Sequence, residues 1–266
     1  MNKIFLIISI LIGFGYINQI KAQDTDSCNW EYKANVDLFS RYVWRGVDFG
    51  NSPSIQHTMK FVYKEKLEFG LWGAFATNDP YQEVDLFCKY SFSKNRFSLL
   101  ATDYYILPNA TFNQNYFDFG KSTTAHTLEL TASFNGVEKF PLTFSLNTML
   151  YGADRIFSDS SKNTTTNLYE YNFKSAYSTY LELAYTFKTK KGDLNVFGGY
   201  NVNGVDIEDV LFVGGEGFYF DGPGLTNLGV KLSKTIEINN FSLPITTQFS
   251  LNPKRERVYF TVGVSL

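Results

Sequence analysis

Histidine and cysteine are both nearly missing from this chain. Only His57 and His126, and Cys28 and Cys88, occur in 266 residues. Two cysteines make no disulfide framework. Cys28 lies too far along for a lipoprotein anchor, and Cys88 reads as a small apolar residue. Gly-x-Ser-x-Gly, His-Glu-x-x-His, Cys-x-x-Cys and a phosphate-binding loop are all lacking. The run Gly214-Gly215-Glu216-Gly217 does not have dinucleotide spacing. No metal and no cofactor is therefore expected. A basic surplus is lacking too. With Lys3 and Lys21 removed in a leader, 24 − 2 = 22 basic residues face 26 acidic ones, a net −4. That balance gives no electrostatic case for nucleic acid.

Long apolar runs are also absent beyond the N-terminus, so no helical membrane span is expected. Residues Ile4–Ile17 are apolar behind Lys3, and Ala22 supplies a small residue for cleavage. Residues 1–22 read as a secretory signal peptide, and 23–266 as one domain.

What is present in excess is aromatic. Phe and Tyr number 26 and 18, and aromatics make up 18% of the chain. A soluble core would have to be unusually large to bury them, whereas a membrane barrel carries aromatics on its outside. About twelve segments of roughly ten residues alternate apolar and polar with period two. They run over 32–44, 55–63, 67–77, 83–93, 96–107, 125–135, 142–151, 177–188, 193–201, 225–236, 241–252 and 257–266. Each register puts an apolar face outward and keeps charge off it, because a mid-bilayer charge costs about 2–4 kcal/mol. In the 96–107 segment this rule sets Leu100, Thr102, Tyr104 and Ile106 outward, so that Asp103 turns inward.

Connections alternate in length. Short ones follow the even segments, and the longest follow odd ones: Pro108–Thr124, Gly152–Ala176 and Val202–Gly224. Short periplasmic turns and long outer loops are the rule for outer-membrane barrels, and a sandwich has no reason to sort loops this way. Aromatics gather at the short-turn end (Tyr63, Phe69, Tyr90, Phe92, Phe97, Phe134, Phe144, Tyr185, Phe187 and Phe241). Tyr42, Trp44, Phe75, Tyr104, Tyr177 and Tyr200 are expected to form an outer girdle. The fold expected is all-β: a closed antiparallel up-and-down transmembrane β-barrel of about twelve strands. Its location is the bacterial outer membrane, among outer-membrane lipids and lipopolysaccharide, with both termini periplasmic.

The apolar face of the last segment runs to Leu266, as suits a strand that must close on the first. It resembles the C-terminal signal read by the barrel-assembly machinery, with Leu266 in place of the usual Phe. The segment Ser40-Arg41-Tyr42-Val43-Trp44-Arg45-Gly46, with Asp48, Gly50, Pro53 and Gln56, resembles the first hairpin of the TorF-type porin family. That resemblance spans about 20 residues. It implies an outer-membrane location and a pore, and it supplies no catalytic residues.

The charges placed inward are Arg41, Arg45, Lys60, Glu68, Asp85, Lys89, Asp103, Glu129, Glu182 and Lys231. Such a set either tunes a wet, porin-like channel for small polar solutes or forms ion pairs that plug a narrow barrel. The second case leaves a structural or adhesion barrel acting through its long loops. A third possibility is a lipid-modifying enzyme using His57 or His126, both on the outward face, but no matching serine and asparagine surround either. Asp206, Glu208, Asp209, Glu216 and Asp221 read as a solvated acidic loop, and Gly152–Ala176 as a mobile surface loop.

Overall fold

A computed structural model describes residues 29–78, 81–107, 115–162, 165, 167, 169–204, 219, 222–239 and 241–266. The leader, Cys28 and the acidic residues of the 202–224 loop lie outside the described residues. Among the described residues there is no helix. Twelve strands form one closed antiparallel barrel: β1 (Trp30–Phe39), β4 (Ser54–Tyr63), β5 (Leu67–Ala76), β6 (Gln82–Phe92), β7 (Phe97–Leu107), β8 (His126–Phe134), β9 (Leu142–Gly152), β12 (Thr179–Thr189), β13 (Gly192–Asn203), β14 (Gly224–Ile238), β15 (Phe241–Asn252) and β16 (Arg257–Ser265). Two ribbons stand apart from the wall: β2 (Tyr42–Trp44) with β3 (Val47–Phe49), and β10 (Arg155–Lys162) with β11 (Tyr169–Ser175). The barrel thus has the strand number that the alternating segments predict.

Closure joins β16 to β1, with Leu38 opposite Val264. Val36 and Leu266 exchange backbone hydrogen bonds of 3.1 and 2.8 Å, and the Ser40 amide donates to the Val262 carbonyl at 2.8 Å. The sheet is left with no free edge.

Burial is inverted relative to a soluble domain. Met59, Leu86, Leu130 and Phe249 are exposed on the outer wall, while Gln56, Glu129, Asn147 and Ser250 are buried inside. At the short-turn end, ring contacts link Trp30 to Tyr63 at 4.7 Å, Phe92 to Phe97 at 5.7 Å and Phe97 to Phe134 at 5.4 Å.

Three expectations are corrected. First, the opening strand stops at Phe39 and does not run to Trp44. Residues 42–49 fold back as the β2–β3 hairpin, so Tyr42 and Trp44 lie inside the barrel and not in an outer girdle. Second, the register of β7 is the reverse of that expected. Leu86 pairs with Asp103 and Cys88 with Ala101, so Asp103 faces outward and Tyr104 faces the interior. The outward carboxylate is tolerated because it sits at the rim against His126, Nδ1 to Oδ2 at 2.9 Å. The His126 Nε2 donates to the Tyr116 carbonyl at 2.6 Å, and Phe119 stacks on the ring at 4.6 Å. Pairing and a roof of loop residues remove the penalty that the register rule assumed. Third, the 152–176 connection, expected as a mobile surface loop, is in part a regular two-stranded ribbon in which β10 pairs with β11. Its base is pinned where Asp154 Oδ2 accepts from the Ser178 amide at 3.0 Å.

Deleting Ser265 and Leu266 removes both Val36–Leu266 hydrogen bonds. At roughly 0.5–1.5 kcal/mol each, the folded barrel should lose about 1–3 kcal/mol. Urea unfolding in detergent micelles measures this, and an unchanged midpoint contradicts the closure described.

Candidate functional site

The interior is crossed by the β2–β3 hairpin. Its turn, Trp44-Arg45-Gly46-Val47, has positive φ at both central residues, 49° at Arg45 and 82° at Gly46. This is the hairpin turn whose twist matches antiparallel strands. Glycine is required at the second position, since a Cβ there would lie 1.9 Å from the Thr226 carbonyl oxygen on β14. The tip also touches β15, two strands from β1 around the barrel, where the Asn252 side-chain amide donates to the Gly46 carbonyl at 3.0 Å.

Arg45 is the anchor of the docked hairpin. Its guanidinium forks onto Glu129 of β8, with Nη1 to Oε2 at 2.6 Å and Nη2 to Oε1 at 2.9 Å. Nη2 also donates to Asn147 Oδ1 at 2.8 Å, and Nη1 donates to the Tyr219 hydroxyl. The cation lies over the Trp44 ring at 4.2 Å and the Tyr180 ring at 4.8 Å. Glu129 is 1% exposed, and Oε1 also accepts from Tyr104 at 3.0 Å and Thr131 at 3.1 Å. Every charge in this cluster is therefore paired and hydrogen-bonded, the condition for keeping ions out of water. Burial pushes the Tyr219 phenol well up from its ordinary range, against the lowering pull of Arg45. Tyr219 accordingly stays a neutral phenol.

The remaining inward charges fall into separate groups. Lys60 and Lys89 share Glu68 at 2.6 and 3.3 Å, nearer the short turns. Glu182 accepts from the Tyr180 hydroxyl at 2.7 Å, and Lys231 faces the interior in register with Gln248. Asp85 is buried on β6 with Oδ1 unpartnered, two residues from Glu83, which accepts from Tyr81 at 2.7 Å. Arg41 pairs with Asp48 across the base of the hairpin and donates to Asn51 at 2.6 Å. Asp103 alone among the expected inward charges lies on the outer wall.

Sequence reasoning placed Arg45 and Glu129 inside but did not bring them together, and it missed Asn147, Tyr180, Tyr219 and Asn252. The signal available was Gly46 and Gly50 with Asp48 and Pro53, a turn-rich stretch that breaks alternation. The two histidines do not meet. His57 lies on the outward face beside Gly73, while both ring nitrogens of His126 are engaged by Asp103 and the Tyr116 carbonyl.

Replacing Glu129 with Ala leaves Arg45 as a buried cation without its carboxylate, which costs roughly 3–5 kcal/mol. The hairpin should give way before the wall, whose ladder is untouched. Amide exchange over 42–49 should quicken by at least about a hundredfold while β12–β15 stay protected. Unchanged protection of the hairpin contradicts the anchoring role of the pair.

The model of a family described as a bacterial protein of unknown function (Gcw_chp) matches residues 22–172. No curated protein matches the chain. The matched stretch holds the hairpin together with Glu129 and Asn147, and the family's description carries no porin activity. Since it covers more than half of the sequence, the chain belongs to the Gcw_chp family of bacterial proteins of unknown function.

Proposed function

We propose that this protein is exported, loses residues 1–22, and sits in the bacterial outer membrane as a small, porin-like path for polar solutes. The Tyr42–Phe49 hairpin holds that path shut. The observation that carries the reading is the Arg45–Glu129 clamp, which seats a loop across an interior otherwise lined with polar and charged side chains. An exposed apolar wall, aromatic rings collected at the short-turn end and a barrel without edges support the membrane setting. No covalent chemistry is proposed, in keeping with a His126 whose ring nitrogens are both occupied. Solute passage requires the hairpin to swing out, and an in-folded loop held to the wall by side-chain contacts centred on the Arg45–Glu129 ion pair, with no barrel-ladder hydrogen bonds of its own, is suited to that.

Planar-bilayer recording of refolded protein tests the channel. The wild type should show small or rare steps. A variant with 42–49 replaced by a short Gly-Ser linker should open steadily to a larger conductance. A second reading, a non-conducting structural barrel, is favoured by the packing of Tyr104, Met149, Tyr180 and Tyr219 beneath Trp44. Silence of the hairpin-replaced variant would establish that reading and overturn the channel.

The membrane setting has its own test. Leu130→Arg puts a charge on the exposed wall and should cost about 2–4 kcal/mol in lipid vesicles, whereas Ser133→Arg, facing inside, should cost less than about 1. Equal costs would contradict the placement.

A further inference from the structure

The short turns carry a charge pattern unlike the rest of the molecule. Three turns that follow one another around the rim hold Lys94 and Arg96 (β6–β7), Lys139 (β8–β9), and Lys188, Lys190 and Lys191 at the β12–β13 turn, all exposed. Only Glu138 and Asp193 oppose them there, a local balance of 6 − 2 = +4 in a chain whose overall net charge is −2. Among the described residues, no ion pair engages any of the six. Lys94, Arg96 and Lys139 converge with Gly136, Val137 and Glu138 on one open recess of about 590 Å³. Six unpaired like charges on one arc repel each other, so the arc calls for an anionic partner.

The neighbouring wall indicates which anion. Immediately above the cations runs an arc of exposed and half-buried rings. Phe97 lies 5.7 Å from Phe92 and 5.4 Å from Phe134, Phe140 is 6.1 Å from Tyr185, and Tyr185 is 4.7 Å from Phe187. Phe140 is itself 52% exposed beside Lys139. Aromatic rings seek the zone between acyl chains and headgroups, and Lys and Arg just beyond them reach the phosphates. A soluble acidic partner would match the cations but leave the adjoining rings unexplained. A lipid headgroup satisfies both at once.

We propose that this rim is a binding site for anionic glycerophospholipids of the periplasmic leaflet, with the headgroup phosphate seated among Lys94, Arg96 and Lys139. The inference rests on the outer-membrane reading, which puts the short turns at that leaflet.

Native mass spectrometry of barrel reconstituted in nanodiscs of phosphatidylcholine with a minority of phosphatidylglycerol is the test. Phosphatidylglycerol should be retained in preference to phosphatidylcholine. Lys94→Gln/Arg96→Gln/Lys139→Gln should cut that preference about tenfold or more, while Lys121→Gln/Lys162→Gln, away from the rim, should leave it unchanged. Heat-dependent mobility on gels verifies that each variant is a folded barrel. If the rim triple variant does not fold, Lys188→Gln/Lys190→Gln/Lys191→Gln carries the same prediction. Folding into pure phosphatidylcholine without any preference for the anionic lipid, or an equal preference in the rim variants, overturns the inference alone. Failure to fold into any lipid instead contradicts the membrane reading beneath it.

Discussion

The hydrogen bonds that tie Val36 to Leu266 turn a twelve-stranded sheet with two edges into a barrel with none. Much else depends on that closure. A closed sheet has only an inside and an outside, so period-two alternation must sort each strand's side chains between them. The outer wall takes Met59, Leu86 and Phe249, and the interior takes Gln56, Glu129 and Asn147. A barrel of this size is wider than its own side chains can fill, which leaves space for an additional element. The β2–β3 hairpin occupies it.

The hairpin in turn supplies the cation for one buried interior carboxylate, while the wall strands pair others among themselves. Arg45 is neutralised by Glu129 and flanked by Trp44 and Tyr180, and Lys60 and Lys89 converge on Glu68. These pairs are satisfied locally, at separate depths, rather than as one continuous plug. In the proposed setting the hairpin is the movable part and the wall is the fixed one. The wall's ladder gains nothing from the Arg45–Glu129 pair, so loss of the pair releases the hairpin without opening the barrel.

The barrel was legible in the sequence because its strongest signals are periodic. Alternation over ten-residue segments located β4 to β9 and β12 to β16, and the sorting of loop lengths separated the two ends. Two places resisted the same logic. The 96–107 segment, with Leu99, Leu100, Tyr104 and Tyr105, is apolar on both faces. A rule against outward charge therefore decided its register, and Asp103 overrode that rule by finding His126 from the next strand. Between 40 and 50, alternation continues through Trp44 although the strand ends at Phe39, because a hairpin has the same period as the wall. Only the glycines and Pro53 marked the break. The partners of Arg45 were hidden for another reason. Glu129, Asn147 and Tyr219 lie 84, 102 and 174 residues away, and only closure of the sheet brings them together.

The central claim is that the hairpin spans the interior and rests on the far wall. Nuclear Overhauser contacts in lipid-reconstituted, isotope-labelled protein test it most directly. The Arg45 Nη2, 2.8 Å from Asn147 Oδ1 on β9 across the barrel, should show guanidinium cross-peaks to side-chain protons of Asn147 or Glu129. Absence of those cross-peaks, with random-coil shifts over 42–49 and an intact barrel ladder, would contradict the account.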